Sequence, residues 1–307
     1  MVDEVGEVLA ARPGGRYVDA TIGEGGHAER LLEDSSPDGA LLGLDWDEDA
    51  LGLSRKRLER FGARVTLARR PFGELRDALE DAGWGDGADG ILIDLGVSTL
   101  QLGRAERGFS FAADGPLDMR MDRRRPASAA DLVNELRESE LADLLYELGE
   151  ERASRRIART IVARRTQKPF ATTAELRAAV AASGVRGRPG HDPATRTFQA
   201  LRIAVNDELG EIERVLDRGW ELLRPGGRMA VLSYHSLEDR MVKQAFKRWT
   251  ASCICPSERP RCDCGWSARV RSVVRRRQRP TPEEIEANPR ARSAGLRAVE
   301  RLPPAGD

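Results

Sequence analysis

Three acidic residues lie at or near the ends of predicted strands in the first hundred residues, namely Asp19, Asp45 and Asp94. A glycine-rich loop, Gly23-Glu-Gly-Gly-His27, follows the first of these strands, and glycine there would let a ligand approach the backbone closely. Asp45 follows the loop by about twenty residues, where a carboxylate can accept hydrogen bonds from both hydroxyls of a ribose. Because ligands bind at the carboxyl ends of parallel strands, the pattern predicts a nucleoside cofactor there.

The glycine-rich loop leaves three interpretations open. Dinucleotide sites use G-x-G-x-x-G, and Ala28 occupies the place of the third glycine, although NAD remains an alternative. Glu24 in the loop would repel a pyrophosphate but could face the positive charge of S-adenosylmethionine, so this methyl donor is favoured. The third interpretation is that the glycines only form a tight turn.

Two carboxylates are candidates by residue type for methyl transfer to an amine, Asp94 and Asp118. The exocyclic amine of cytosine is a poor nucleophile because its lone pair is delocalised into the ring, and an acceptor for its hydrogens would favour attack. Otherwise the reaction needs mainly an in-line arrangement of nitrogen, methyl and sulfur. The alternatives are a helix N-cap for Asp94 and a surface ion pair for Asp118.

Strands and helices alternate over the first hundred residues, which predicts a parallel sheet with helices on both faces. From about residue 105 to residue 195 helical periodicity replaces this alternation, and the sheet resumes afterwards. We therefore predict an α/β core in two parts, 1–104 and 198–307, with a helical insertion at 105–197. The predicted strands are 17–21, 40–45, 65–68, 90–94 and 229–233, with closing strands at 270–275 and 296–300. A turn is predicted at 224–227, and a loop between the closing strands.

The formal net charge is zero, but charge is segregated along the chain. Residues 1–100 contain 11 basic and 21 acidic residues, residues 101–239 contain 23 and 22, and residues 240–301 contain 16 and 6. This asymmetry predicts contact with a polyanion. We expect the helical insertion, as the substrate-recognition domain, and residues 269–279 to contact its phosphates. The alternative is a solvated surface in an arginine-rich protein, since only four of the 50 basic residues are lysine.

The apolar runs are far shorter than the roughly 20 residues that span a bilayer, which predicts no membrane segment. The acidic start, Met-Val-Asp-Glu-Val-Gly-Glu, lacks the basic and apolar regions of a signal peptide. We therefore expect a cytoplasmic protein. The sequence leaves its oligomeric state open, with a homodimer as one alternative.

The four cysteines, Cys253, Cys255, Cys262 and Cys264, all lie within twelve residues. Two C-x-C pairs could bind zinc through four thiolates, but the usual zinc spacing is C-x-x-C. A reducing cytoplasm does not favour disulfides. The spacing therefore favours a metal-free surface loop over a structural metal, and no metal ligand is predicted.

Long motifs in chain order resemble the ribosomal RNA small subunit methyltransferase H family, the 16S rRNA (cytosine-N4)-methyltransferases. The resemblance covers nearly the whole chain. Its motifs are Tyr17-Val-Asp-Ala-Thr-Ile-Gly-Glu-Gly-Gly-His27, Asp94-Leu-Gly-Val-Ser98 through Gln101, Arg107-Gly-Phe-Ser-Phe111, Asp114-Gly-Pro-Leu-Asp-Met-Arg-Met-Asp122, Gly149-Glu-Glu-Arg152, Ala194-Thr-Arg-Thr-Phe-Gln199, Arg202-Ile-Ala-Val-Asn206, Ser233-Tyr-His-Ser-Leu-Glu-Asp-Arg240 and Asn288-Pro-Arg-Ala-Arg-Ser293.

The resemblance implies a class I S-adenosylmethionine-dependent methyltransferase fold with a mostly parallel, Rossmann-like sheet and an inserted all-helical domain. It implies methyl transfer to N4 of one cytidine in the decoding region of 16S rRNA, with the small ribosomal subunit as partner. Phe72 would lie beside the adenine of the cofactor, although core packing explains it equally. The cofactor contacts that the resemblance implies are Gly25, Gly26, His27, Asp45, Phe72, Asp94 and Gln101.

The resemblance leaves the catalytic group open among Asp94, Asp118 and His235. His235 would contact the base or take the released proton, or else cap the helix that follows it. Tyr234 stands where relatives often have phenylalanine, which suggests a role for the ring rather than for the hydroxyl. Relatives usually begin with a segment containing His-x-Pro-Val, whereas this sequence begins directly at Met1-Val-Asp-Glu. We therefore expect either that the assigned start is too late or that the edge of the cofactor site is incomplete.

Three other functions compete with this one. An N4-cytosine DNA methyltransferase often carries a Ser/Asp-Pro-Pro-Tyr motif, and Asp94-Leu-Gly-Val lacks both prolines. A small-molecule amine methyltransferase would not need the basic C-terminal part. An RNA-binding assembly factor would keep the fold and bind the donor without transferring its methyl group.

Overall fold

The computed structural model describes residues 1–187, 192–256, 259 and 261–304. The chain divides into two units: unit 1 comprises Met1–Gly96 and Leu209–Asp307, and unit 2 comprises Val97–Glu208. The divisions predicted from the sequence are 104/105 and 197/198. The differences arise because a short helix beginning at Thr99 and the whole helix Thr195–Asn206 belong to unit 2.

Unit 1 is built on a seven-stranded sheet. Its strands are β1 (Arg16–Asp19), β2 (Ala40–Asp45), β3 (Val65–Arg69), β4 (Ala88–Asp94), β5 (Leu223–Ser233), β6 (Val270–Ser272) and β7 (Gly295–Arg301). Their order is β3-β2-β1-β4-β5-β7-β6, in which β1 to β5 are parallel and β7 is antiparallel to both of its neighbours. The predicted mostly parallel, Rossmann-like α/β sheet is confirmed.

Helices fill the connections between the strands. They are α1 (Val2–Leu9), α2 (Gly26–Asp34), α3 (Glu48–Leu58), α4 (Leu75–Asp81), α5 (Thr99–Gly103), α6 (Ala129–Glu135), α7 (Glu138–Gly149), α8 (Ser154–Arg165), α9 (Thr173–Ala182), α10 (Thr195–Asn206), α11 (Glu208–Asp217), α12 (Ser236–Thr250) and α13 (Pro282–Ala287). Short 3-10 helices span Glu59–Arg64, Phe72–Glu74, Ala105–Arg107, Gly219–Leu222 and Pro289–Ser293.

The sheet of unit 1 is covered by helices on both faces. Successive side chains of a strand point to opposite sides, so both sets are buried. Tyr17 packs on the face that α1, α2 and α3 cover, and the next residue, Val18, packs on the face that α4, α11 and α12 cover. Leu41 and Leu42 divide in the same way. These near-continuous apolar strands hold the polar strand ends in fixed positions.

Three local predictions differ from the structure. The Arg224-Pro-Gly-Gly227 sequence is not a free turn but a bulge inside β5, since Leu223 pairs with Ala88 and Arg228 pairs with Gly90. A Cβ at Gly227 would lie 2.7 Å from the Ala88 carbonyl oxygen, so this register requires glycine. The loop predicted between the closing strands contains α13, with Thr281 as its N-cap, and α1 was not predicted.

Unit 2 is helical, and three of its helix starts, those of α5, α6 and α9, are fixed by capping boxes at Ser98, Ser128 and Thr172. The amide of Asn206, in the last turn of α10, accepts from the Met121 N–H at 2.8 Å and donates to the Met119 carbonyl at 2.8 Å. A buried side-chain amide therefore holds the irregular segment before α6. Among the described residues, no helix combines the length and the apolar character needed to cross a bilayer.

Trp249 near the end of α12 is fully buried and packs against Trp220 and Phe246, with ring centroids 5.4 and 5.3 Å away. We expect Trp249→Ala to lower the free energy of unfolding by about 3–5 kcal/mol, because it leaves a cavity in the core. Trp84→Ala, at a half-buried position, should cost clearly less. Urea denaturation of both variants measures the difference, and equal losses would contradict this account of the core.

Candidate functional site

The carboxyl ends of β1, β2, β4 and β5 lie along one edge of the sheet, with β1 between β2 and β4. Asp19, Asp45 and Asp94 are the last residues of β1, β2 and β4, and Ser233 ends β5. Parallel strand order therefore brings the three acidic residues that the sequence singled out to the same edge.

The glycine-rich loop turns from β1 into α2 at this edge. Gly23 and Gly25 have φ values of 51° and 81°, a conformation that residues with a Cβ rarely adopt. Gly25 is the N-cap of α2, and Gly26 is the first residue of the helix. The two predicted cofactor glycines thus present backbone at a helix start, beside the strand ends.

Asp45 joins this loop to the end of β2. One carboxylate oxygen accepts the Gly23 N–H at 3.0 Å, and the other accepts the Asp47 N–H at 2.9 Å. Burial raises the pKa of Asp45 to about 6, against the opposing effect of these hydrogen bonds. The carboxylate predicted to bind the ribose therefore also fixes the conformation of the glycine loop.

Asp19 ends β1, and the sequence predicts no role for it. Its side chain is 1% exposed, and burial, together with the charges of Asp94 and Asp45, raises its pKa to about 8. Its Oδ1 accepts the Thr21 N–H at 3.3 Å. A carboxyl with a strongly raised pKa beside two others marks a candidate functional site, which residue type alone does not reveal.

Asp94 is held from two sides. Its backbone N–H donates to the Thr21 hydroxyl at 2.7 Å, and its Oδ1 accepts from the Tyr234 hydroxyl at 2.8 Å. Burial raises the pKa of Asp94 to about 6; the Tyr234 hydrogen bond lowers it, and the charge of Glu238 raises it. The suggestion that only the ring of Tyr234 matters is therefore wrong here, because its hydroxyl fixes a site carboxylate.

His27 occupies the first turn of α2. Burial lowers the pKa of its imidazole to about 4, so the ring is neutral at pH 7, and its Nε2 lies 3.8 Å from Asp94 Oδ2. Within the part of the chain that the structure describes, its buried Nδ1 has no hydrogen-bond partner. A buried, unpaired ring nitrogen is expected where a ligand completes the hydrogen bonding.

Phe72 lies beyond the end of β3, 7% exposed and packed in the core. Its ring centroid is 6.4 Å from that of Trp46, which directly follows Asp45 and is 9% exposed. The sequence singled out Phe72 but not Trp46. The two tilted rings form an apolar pair beside the end of β2.

His235 is the N-cap of α12. Its Nδ1 accepts the Glu238 N–H at 3.5 Å, and its Nε2 lies 3.0 Å from Glu238 Oε1. Glu238, 1% exposed, in turn accepts the backbone N–H groups of Tyr234 and His235 at 2.7 and 3.2 Å. The imidazole therefore braces the helix, as one of the two interpretations of His235 proposed.

Two predicted site residues, Asp118 and Gln101, belong to unit 2. Asp118 forms a two-oxygen ion pair with Arg120, at 2.7 and 3.0 Å; although burial raises its pKa, these hydrogen bonds hold the pKa below its usual range. Gln101 is buried, and its Oε1 accepts the Ser98 N–H at 3.1 Å in the capping box of α5. Asp118 is thus a weak base, and the Gln101 side chain caps the start of α5.

The arginines of the basic segment 269–279 differ in their exposure. Arg275 and Arg276 are exposed. Arg277 points inward, where its Nη2 donates to the carbonyls of Ser233 and Ser293 at 2.9 and 2.8 Å, and its Nε lies 3.3 Å from Asp239 Oδ1. Arg277 therefore supports the end of β5, and Arg275 and Arg276 are better placed to contact phosphate.

The comparisons with known proteins agree on one family. The profile described as the MraW methylase family matches residues 1–302. Proteins named Ribosomal RNA small subunit methyltransferase H from Symbiobacterium thermophilum and Syntrophobacter fumaroxidans are 53% and 52% identical, each covering 98% of this chain and 95% of the relative. The protein of that name from Geobacter sulfurreducens is 52% identical over 98% of this chain and 97% of its own length. The resemblance seen in the sequence motifs is confirmed, and the chain belongs to the MraW methylase family.

Proposed function

We propose that this protein transfers the methyl group of S-adenosylmethionine to N4 of a cytidine in the decoding region of 16S rRNA, in the small ribosomal subunit and in the cytoplasm. Family membership and the name of the relatives support the reaction class and the substrate. The observation that carries the proposal is the cluster of Asp19, Asp45 and Asp94 around a glycine loop at one sheet edge.

The residues at this edge fit a cationic nucleoside donor. Asp19 is buried and Asp45 and Asp94 are half-buried; all three have raised pKa values, and a positive ligand would stabilise their ionised form. Neutral His27 adds no competing positive charge, and its unpaired Nδ1 can bind a polar group of the donor. A pyrophosphate would instead bring negative charge to a negative site, which disfavours NAD.

Each residue then has a defined task. Asp45 would hold the ribose hydroxyls, the backbone of Gly25 and Gly26 would border the donor, and Phe72 would lie beside the adenine. When bound, S-adenosylmethionine supplies a methyl group on a positively charged sulfur. Gln101, in unit 2, stays a predicted donor contact, and the proposal holds for a monomer and for a homodimer.

Asp94 is the group best suited to the target amine. Its Oδ1 is oriented by Tyr234, and its raised pKa of about 6 leaves it largely ionised at neutral pH but still basic enough to accept hydrogen bonds from an amine. Asp118 and His235 remain predicted catalytic residues. Their observed contacts, an ion pair and a helix cap, favour positioning over proton transfer.

Exposed arginines supply the phosphate contacts. In unit 2, the exposed side of α8 carries Arg155, Arg156, Arg159 and Arg164. In unit 1, Arg275 and Arg276 extend from the basic C-terminal part. Such contacts position RNA without reading its sequence. The cytidine would have to leave its stack, since an amine inside a helix cannot reach a donor in a strand-end site.

Mass mapping of 16S rRNA tests the function directly. Small subunits from cells lacking this protein, incubated with the purified protein and S-adenosylmethionine, should gain one methyl group on a decoding-region cytidine. Saturable donor binding with no methyl transfer to subunits would instead indicate the non-enzymatic assembly factor.

Replacing Asp45 tests the donor site. Asp45→Ala should weaken S-adenosylmethionine binding at least tenfold, since hydrogen bonds to a charged group contribute about 1.5–3 kcal/mol. Asp45→Asn keeps an acceptor for the Gly23 N–H but lacks the charge, so it separates loop conformation from ribose binding. Isothermal titration provides the measurement, with Glu48→Ala as an exposed acidic control. Unchanged affinity in Asp45→Ala would refute the site.

Replacing Tyr234 tests the role of Asp94. Tyr234→Phe removes a hydrogen bond that lowers the pKa of Asp94, so that pKa should rise. Because ionised Asp94 is the active form, the rising limb of single-turnover rate against pH, expected near pH 6, should move to higher pH. Asp94→Asn should lower the rate by about a hundredfold or more at saturating donor. A Tyr234→Phe profile that overlays the wild type would contradict this role.

Neutralising Arg275 and Arg276 together tests the RNA contacts. Arg275→Gln/Arg276→Gln should weaken 16S rRNA binding and reduce the slope of log affinity against log salt by roughly one to two. Arg277→Gln should instead lower the melting temperature, because it removes contacts to Ser233 and Ser293. Filter binding at several salt concentrations measures the slopes, and an unchanged slope in the double variant would exclude these contacts.

A further inference from the structure

The four cysteines converge in space between α12 and β6. Their Sγ atoms all lie within 4.8 Å of one another, and none of the four is in a disulfide. Sulfur–sulfur distances are 3.3 Å for Cys253–Cys262, 3.8 Å for Cys253–Cys264, 3.9 Å for Cys255–Cys262 and 3.5 Å for Cys262–Cys264. Four free thiols this close together are arranged as a metal ion would need them.

These distances match a tetrahedral metal centre. With zinc–sulfur bonds of about 2.3 Å, the sulfurs of a tetrahedral site lie about 3.8 Å apart. The C-x-C spacing departs from the usual C-x-x-C, but the fold brings both pairs together. The geometry therefore favours the alternative that the spacing alone had disfavoured.

Backbone N–H groups surround the sulfurs as they do around thiolate ligands. The Cys255 N–H donates to Cys253 Sγ at 3.3 Å, and the N–H groups of Ile254 and Trp266 donate to Cys264. Gly265, with a φ of 59°, turns the chain between Cys264 and Trp266. Such hydrogen bonds orient ligands and distribute their negative charge.

The cysteine cluster is tied to the core of unit 1 by Trp266. Its indole N–H donates to the Ala251 carbonyl at 3.1 Å, its ring contacts Trp220 edge-on at 5.6 Å, and the guanidinium of Arg269 lies over it at 5.0 Å. A metal here would fix the segment between the end of α12 and the start of β6.

We propose that Cys253, Cys255, Cys262 and Cys264 bind one structural zinc ion. Four thiolates in tetrahedral positions are the ligand set of structural zinc sites, which leave no open position for a reacting water. The ion would close the loop that precedes β6 and so stabilise the basic segment that follows. The proposal does not depend on the methyl-transfer function.

Metal analysis of the full-length protein tests the site. Protein expressed in zinc-supplemented medium should contain one zinc per chain by mass spectrometry of the metal. Cys262→Ser and Cys264→Ser should each lose it, whereas Ser252→Ala, at an exposed neighbouring position, should retain it. Metal-free protein titrated with cobalt(II) should develop the visible bands of a tetrahedral thiolate centre, which zinc alone then abolishes.

Two further measurements keep the result decisive. Chelation of zinc from the wild-type protein should lower its melting temperature, and added zinc should restore it, even if the serine variants fold poorly. Donor binding, measured on the same samples, reports on the separate Asp45 site. Three results would overturn the proposal. The protein contains no zinc and gives no cobalt bands after reduction, it carries iron instead, or its cysteines form two disulfides in the native state.

Discussion

The structure of the site depends on the burial of acidic groups at the ends of three neighbouring strands. Removing a carboxylate from water is costly unless it is hydrogen-bonded or faces a positive charge. Asp19, Asp45 and Asp94 receive part of that compensation from backbone N–H groups and from Tyr234. Burial still raises the pKa of all three carboxyl groups, so a positive charge at this edge would stabilise their ionised form.

The glycine loop follows from the same constraint. Asp45 can accept the Gly23 N–H only if the chain turns sharply after β1, and the positive φ values of Gly23 and Gly25 provide that turn. The turn also places His27 in the first turn of α2, close to Asp94, where burial keeps its ring neutral. A protonated imidazole there would neutralise part of the negative site and compete with a cationic ligand. The Asp45 carboxylate therefore links the conformation of the glycine loop to the charge of the strand-end site.

Much of this arrangement could be predicted from the sequence, because apolar strands ending in Asp are distinctive. The strand ends at Asp45 and Asp94 were located to the residue, and the helical block was recognised from its periodicity. Contacts between distant segments could not be predicted: the Tyr234 hydroxyl bond to Asp94 and the inward turn of Arg277 join residues far apart in the chain. The C-x-C spacing likewise gave no indication that two pairs would meet in space.

The turn from β5 into α12 acts on Asp94 in two opposing ways. Glu238 accepts the backbone N–H groups of Tyr234 and His235 and so fixes the turn, yet its own charge raises the pKa of Asp94. The Tyr234 hydroxyl that this turn presents lowers that pKa by donating to the ionised carboxylate. With phenylalanine at position 234, the hydroxyl that lowers the pKa of Asp94 is lost and the charge of Glu238 that raises it remains. Asp94 would therefore lose its proton at a higher pH. A single aromatic position therefore adjusts the basicity of the strand-end carboxylate without changing the backbone that carries it.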